Sequence, residues 1–489
     1  MDFLKKSCKK YILVFLFACG AFSISYVSTI KGGVNLPPDS ANYLCAARTF
    51  MRGEGFLCFD NTYFVKWPPL YPFVLSIFLR AGGDIFYDAR ILQALLFAGT
   101  VLLSGLLFLR NEYSLTSVVL GVSLVCFSLP LYTISLWLWT EPLFLFLLIL
   151  FFYMFNEFLN FPGYRNLIFS AVVCSLIWLT KYTGVVAVIT GLIFILSDRR
   201  LKIPQRIVMG LIFGTVASFP LGLWIGRNYV LTHTLAGVRV PSDLGVIENI
   251  YRSLNVITSW FFPFSLSLTL RIVLFTGTVG GMIYAGRKDR KTRFMFTFGL
   301  LYLLFLIFMA VRVHFDKLDT RLLAPVYLPI VCIITAGLNA LYYQKGAGRT
   351  IFKFLTGFWF LVVIFSVYTI ISITLYFHTI GGKFTVDKWR DLEVVKWLKK
   401  HPLKGKLYSN APDVLYLGAG LNASRVPERI WGWKEMEEAI ERNQNVYLIW
   451  FGIRKRQTIF SLKEIGDKYR LIPIKKFSRA LVFKINEKN

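Results

Sequence analysis

The feature that most constrains this chain is a succession of uninterrupted apolar stretches of about 20 residues, each long enough as a helix to cross roughly 30 Å of hydrocarbon. Candidate spans fall at 11–30, 90–110, 117–137, 140–160, 166–181, 184–198, 206–227, 266–286, 294–312, 322–343 and 351–377, eleven in all. Composition agrees: 56% of the 489 residues are hydrophobic, 17% aromatic and only 17% charged, where an ordinary soluble protein has about 25% charged residues. A soluble globular protein is excluded. The pattern predicts a polytopic α-helical membrane protein over residues 1–383 and leaves room for one small soluble domain over 384–489.

The formal charge of +28 would point to nucleic acid in a soluble protein, but here the Lys and Arg fall mostly in short loops between spans and in the C-terminal domain, so no nucleic-acid partner is expected. With the N-terminus cytoplasmic, alternate loops carry Lys5, Lys6, Lys9 and Lys10, then Arg110, Arg165, Arg199, Arg200, Lys202 and Arg206, the Arg287–Arg293 run, and Lys345 and Arg349. The intervening loops are poorer in cations. This bias sets a multi-pass topology in the plasma (inner) membrane, and an odd number of spans puts the C-terminus outside. The N-terminal lysines followed by an apolar run resemble a secretory signal, but the length of 11–30 and the bulky residue in Leu16-Phe17-Ala18-Cys19 favour an uncleaved first span. The seven cysteines form no C-x-x-C and no Cys/His cluster of metal-ligand spacing; Cys45 and Cys58 share one loop and can be either a disulfide or two free thiols.

Two outside loops are long. The first, about 31–89, contains Pro37-Pro38-Asp39, Gly53-Glu54-Gly55 and Trp67-Pro68-Pro69, and its apolar part at 70–82 is too short to span and reads as a helix in the membrane interface. The second, about 228–265, contains Trp260-Phe261-Phe262-Pro263, an aromatic cluster suited to the membrane boundary. Irregular backbone near the bilayer is tolerated only where protein covers it or a wet cavity adjoins it, so these loops are expected to frame a cavity. Beyond 384, short hydrophobic runs at 406–409, 446–451 and 480–485 alternate with amphipathic stretches at 387–399 and 434–442, the signature of a small extracytoplasmic α/β domain. Residues 383–489 hold 23 Lys and Arg against 12 Asp and Glu, a net of +11, which suits anionic headgroups of membrane lipids or equally a merely solvated basic surface.

Burying charge in so apolar a chain is costly, so charged residues near the outer ends of spans are informative. Five stand out: Asp39, Lys66, Glu141, Lys181 and Arg227. Two acids and three cations converging on one interfacial cavity suit chemistry on a lipid-linked phosphate, with cations neutralising the phosphate and a carboxylate accepting a proton. Each also has a plain structural reading: Asp39 as cap of a helix starting at Ser40, Glu141 as an acid favoured at a helix start, and the three cations as snorkelling residues. His233, His314, His378 and His401 are scattered and receive no ligand role; His314-Phe315-Asp316 with Asp319 reads as a solvated loop in preference to a cation site.

The stretch from Pro38-Asp39-Ser40-Ala41-Asn42-Tyr43 to Arg48, then Gly53-Glu54-Gly55 and Trp67-Pro68-Pro69-Leu70-Tyr71-Pro72, resembles the first external loop of GT-C glycosyltransferases, and among them the protein O-mannosyltransferase and lipid A aminoarabinose transferase group. Trp139-Thr140-Glu141-Pro142, Leu179-Thr180-Lys181, Arg227-Asn228, Arg321-Leu322-Leu323-Ala324-Pro325 and Tyr408-Ser409-Asn410-Ala411-Pro412-Asp413 are similar to later landmarks in the same order. The resemblance implies a polyprenyl-phosphate sugar donor, a hydroxyl acceptor on a lipid, glycan or protein, and transfer with inversion. By position it makes Asp39 the catalytic base, Glu141 the second acidic residue, and Lys66 the cation that meets the donor phosphate, with Arg227 as a further match; the phosphate is then expected to be held by Lys66 with Arg227 or Lys181. Many relatives have a second acid directly after the first, where this chain has Ser40, and some have Glu before the Lys, where this chain has Val65; the acceptor and any need for a divalent cation are therefore open. A transporter or flippase of polyprenyl-linked glycans is the alternative of another class, though it would be expected to show internal repeats and charges near the midplane. A glycan ligase or polymerase would share the donor side.

Overall fold

The computed structural model describes residues 2–79, 85–314, 316–382, 385–429, 432–442, 445–452 and 458–488. The chain forms two compact units: Met1–Lys31, Val65–Tyr71 and Asp88–Ile380 make one, and Gly32–Phe64, Pro72–Tyr87 and Gly381–Asn489 the other. The expected boundary between 383 and 384 lies outside the described residues.

The first unit is a helical bundle, and the protein is an integral membrane protein. Among the described residues eight helices are long and apolar enough to cross a bilayer, nine if the pair Leu115–Cys126 and Leu129–Ser135, bent by 42°, counts as one span. All eleven expected spans fall on helix, but 166–181 and 184–198 correspond to the shorter Tyr164–Thr180 and Tyr182–Leu196, so length and composition alone do not reach the expected count. The bend has a local cause. Ser128 accepts a hydrogen bond from the Leu131 amide at 3.2 Å and caps a new helix, with Pro130 in its first turn, where a missing N–H costs nothing. The break between the two shorter helices is equally local: Lys181 is extended (φ −154°, ψ 136°), and Gly184 sits so close to Trp178 that a Cβ would lie 2.7 Å from its Cα.

Tyr327–Tyr342 is the buried axis of the bundle, with Tyr327, Leu328, Val331, Ile334 and Leu338 all inside. Leu211, Phe219, Leu223, Phe354, Leu361 and Ile364 instead point outward from peripheral helices, as lipid-facing residues must. The Trp260-Phe261-Phe262 cluster departs from expectation. All three are buried, and Phe261 stacks on Tyr327 (5.4 Å, 8°) and meets Trp359 edge-on, so these rings seal the bundle and do not face the membrane boundary. The preceding loop also contains a helix, Val246–Ser259, and the helix before it continues to Thr232.

The second unit is α/β. Strands β1 (Lys406–Ser409), β2 (Ser424–Arg425), β3 (Val446–Phe451), β4 (Arg470–Lys476) and β5 (Ala480–Asn486) form one sheet in the order β2-β1-β3-β5-β4, the first three parallel and the last two antiparallel to their neighbours. Strand periodicity sends Leu407, Ile449, Phe451, Ala480 and Val482 to one face, against helices Glu393–Lys400 and Pro412–Ala419. Tyr408, Val446, Leu448 and Ile485 go to the other, against Lys434–Glu441 and Leu462–Lys468. The expected strands at 406–409, 446–451 and 480–485 are present. Strand β4 went unread because Pro473 interrupts it, and it is tolerated at a sheet edge with a register shift between Pro473 and Lys475.

In the same unit the helix Pro38–Met51 and the loop after it meet Pro412–Ala419. Arg48 donates to the Tyr416 hydroxyl at 3.1 Å, Phe59 stacks on the Tyr416 ring at 5.9 Å, and Asn422 donates to Asn61 at 2.9 Å. The helix expected at 70–82 is seen as Leu70–Leu79, and 80–82 lie outside the described residues. Cys45 and Cys58 are both buried, and burial pushes the Cys45 thiol up, so it is an inert packing residue.

Candidate functional site

Glu141 is the first residue of the helix Glu141–Asn160, follows the irregular Leu136–Thr140 segment, and is completely buried. A lone carboxylate there would be prohibitively costly. Two cations answer it: the Lys181 ammonium donates to Glu141 Oε1 at 2.7 Å and the Arg321 Nε–H to the same oxygen at 2.9 Å, while the Thr140 hydroxyl donates to Oε2 at 3.3 Å. Each cation arrives from a helix interruption. Lys181 is the extended residue between Tyr164–Thr180 and the 3-10 turn Tyr182–Gly184; Arg321 lies in the short helix Thr320–Leu323, whose N-terminus Asp319 caps by accepting from the Leu322 amide at 3.2 Å. The Arg321 guanidinium also lies over the Trp139 ring, 4.7 Å from its centroid. Two cations thus converge on one buried carboxylate oxygen, and Arg321 also pairs with the exposed Asp316 at 3.6 Å.

A second group adjoins it through the chain itself, because Tyr182 follows Lys181. The Tyr182 hydroxyl donates to the Val65 carbonyl at 3.0 Å, Arg239 donates to the Lys66 carbonyl at 2.9 Å, and a Cβ on Gly237 would meet the Lys66 side chain at 2.8 Å. The charges of Arg239 and Arg227 both act on the Tyr182 hydroxyl. Arg227 is held over the Trp224 ring at 4.4 Å and donates to Asn228, whose amide reaches the Leu235 carbonyl. Lys66 itself is exposed. Lys181 and Arg321 thus meet on one buried carboxylate, and Lys66, Arg227 and Arg239 gather about Tyr182, the residue after Lys181, an arrangement whose chemical capacity is to bind a phosphate anion.

Of the five residues singled out in the sequence, Glu141, Lys181, Lys66 and Arg227 belong to this end of the first unit. Asp39 lies in the second unit, half-buried in the first turn of Pro38–Met51. It does not cap that helix, which begins two residues earlier than expected with Pro37 at the N-cap position. Arg321 and Arg239 were missed. Arg321 carried the same signal as the others, a cation at the outer start of an apolar run; Arg239 lies in a polar loop, and nothing in the sequence distinguishes it. The residues about His314 have other tasks: its amide donates to the Val240 carbonyl, Asp316 pairs with Arg321 at 3.6 Å, Asp319 caps a helix, and Phe315 lies outside the described residues. Among the described residues no three His, Cys, Asp or Glu side chains are grouped so as to hold a metal ion.

The fold has counterparts of known structure. ArnT from Cupriavidus metallidurans matches over 96% of this chain and 97% of its own at 11% identity, with a TM-score of 0.64 in its apo crystal structure and 0.63 in the structure bound to undecaprenyl phosphate. The archaeal oligosaccharyltransferase AglB from Archaeoglobus fulgidus, in complex with an inhibitory peptide and a dolichol-phosphate, matches over 91% of this chain and 70% of its own at 11% identity, with a TM-score of 0.55. No curated protein matches at the level of sequence. The fold is therefore similar to that of ArnT and, more distantly, of AglB. Residues 61–216, about a third of the chain, match the family described as dolichyl-phosphate-mannose-protein mannosyltransferase, a segment that contains Lys66, Glu141 and Lys181.

Proposed function

We propose that this protein transfers a sugar from a polyprenyl-phosphate donor to a hydroxyl acceptor on the extracytoplasmic face of the plasma membrane, with inversion at the anomeric carbon. The observation that carries the reading is the convergence of Lys181 and Arg321 on the buried Glu141. A single lipid phosphate requires neutralisation at the membrane boundary, and it becomes a tolerable leaving group once it is neutralised. The ArnT structure with undecaprenyl phosphate and the AglB structure with dolichol-phosphate support a donor of this class. In this reading Lys66, Lys181, Arg227 and Arg321 bind the phosphate and stabilise the charge that grows on it as the glycosidic bond breaks. Glu141 is a positioning residue that holds Lys181 and Arg321 in place; its two protonated partners leave it unsuited to accept a proton. The base is assigned to Asp39, which takes the proton of the acceptor hydroxyl as that oxygen attacks from the face opposite the phosphate. No covalent intermediate is needed.

The test is transfer of labelled sugar in membranes supplied with a panel of polyprenyl-phosphate sugars, with lipid, glycan and protein fractions extracted separately. Wild type is expected to move label into one fraction. Asp39→Asn is expected to insert normally, bind donor and transfer nothing, so an active Asp39→Asn protein removes Asp39 as the base. If wild type moves label from no donor while folded and inserted, the reading fails, and flipping of lipid-linked glycans becomes the next assay.

A further inference from the structure

The opposite end of the bundle carries a second basic site that the transfer reaction does not use. A cavity of about 930 Å³ opens between the C-terminal ends of Glu141–Asn160 and Val185–Leu196 and the N-terminal end of Arg290–Arg312. Its polar lining is built around Asp198, which is 2% exposed and bonded to Arg200 at 2.8 Å and Arg290 at 2.7 Å. Those guanidiniums are fixed further, Arg200 on the Asn160 carbonyl and Arg290 on the Phe194 carbonyl, and Asp289 is occupied in capping the helix that Arg290 begins. Arg199 and Arg293 also line the cavity, and among the described residues their side chains make no ion pair. In all, five cations face two carboxylates that are already engaged. The remaining lining differs in kind: Ile193 and Phe296 are apolar, and each is more than 40% exposed.

A fixed cationic floor beside an exposed apolar wall matches a molecule that is anionic at its head and hydrocarbon below it. We propose that this cavity binds the headgroup of an anionic phospholipid from the leaflet at that end of the bundle, with Arg199, Arg290 and Arg293 on the phosphate and Ile193 and Phe296 against the acyl chains. The charge bias of the loops puts this leaflet on the cytoplasmic side, where anionic lipid is met by Lys and Arg. A free phosphate would satisfy the cations but leave the apolar wall without a partner, so the lipid is the occupant to which the geometry points. The site is independent of the donor, which meets the other end.

The test uses the purified full-length protein in neutral detergent. Binding is followed by native mass spectrometry and by the shift in melting temperature on adding dioleoyl phosphatidylglycerol, phosphatidylcholine with the same chains, or inorganic phosphate. Phosphatidylglycerol is expected to bind and raise the melting temperature, and the other two to leave it unchanged. Arg199→Ala with Arg293→Ala removes two cations without breaking an ion pair, so the variant is expected to fold and to bind phosphatidylglycerol about thirtyfold more weakly. Phe296→Ser, which alters only the wall and adds no charge, should also weaken binding, and Lys345→Ala, a loop cation outside the cavity, should not. Equal stabilisation by phosphatidylcholine, equal stabilisation by phosphate, or undiminished lipid binding by the double variant would each overturn the proposal.

Discussion

At the scale of single residues, the consequential fact is that Glu141 is wholly buried with two cations on one oxygen. Removing one partner of such a group leaves the others uncompensated, at a cost of about 3–5 kcal/mol. Glu141→Gln is accordingly expected to lower the melting temperature in detergent by several degrees and to lower sugar transfer at least tenfold, since Lys181 and Arg321 would then repel each other. Thermal melting and the transfer assay check this together; a variant that melts like wild type would show that the pair does not hold the site. Lys66 differs, being exposed and unneeded for packing. Lys66→Ala is expected to keep wild-type stability and raise the donor KM about tenfold with little change in kcat, the pattern of lost uniform binding. Glu141 and Lys181 were legible as charges at span ends. Their direct pairing was not, because 40 residues separate them and nothing local records the contact.

At the scale of elements, the interruptions deliver the chemistry. Lys181 can turn to Glu141 because the helix before it stops at Thr180, and the return of the chain is tight enough that only hydrogen fits at Gly184. Gly184→Val should force that turn apart. The expected outcome is an inserted protein with transfer lowered about as much as by Lys181→Ala, measured on matched membrane amounts; unchanged transfer would mean that the turn is not needed to aim Lys181. The same interruptions explain why the span count was not settled by hydropathy, which averages over a window and does not see a broken helix. The amphipathic helix Val246–Ser259 and strand β4 escaped notice for kindred reasons: one lies among loop-like residues, and the other contains a proline that only an edge position accepts.

At the scale of the whole molecule, residues Gly32–Phe64 of the first long loop and the C-terminal domain belong to one compact unit, with Tyr416 against Cys45, Arg48 and Phe59. Burial pushes the Tyr416 hydroxyl up to about 12, so it serves as a neutral donor or acceptor at any physiological pH. Tyr416→Ala is expected to cost about 3–5 kcal/mol through the cavity it leaves. Hydrogen exchange should then show lost protection in 40–60 as well as in 385–425, whereas loss confined to the C-terminal segment would show that the loop stands without it.

The sequence by itself determined the class of the protein and the inventory of its charged residues, because uninterrupted apolar length can be satisfied only by helices in a bilayer and because any charge retained among them requires a reason. It also determined the strands whose periodicity is unbroken. Only the tertiary structure decided which charges meet, that Arg321 and Arg239 join the predicted residues, that the Trp260 cluster faces inward, and that the loop bearing Asp39 is grouped with the C-terminal domain. Each of these is a contact between segments far apart in the chain, and such contacts depend on how helices break and pack, a property of the folded whole that no local pattern encodes.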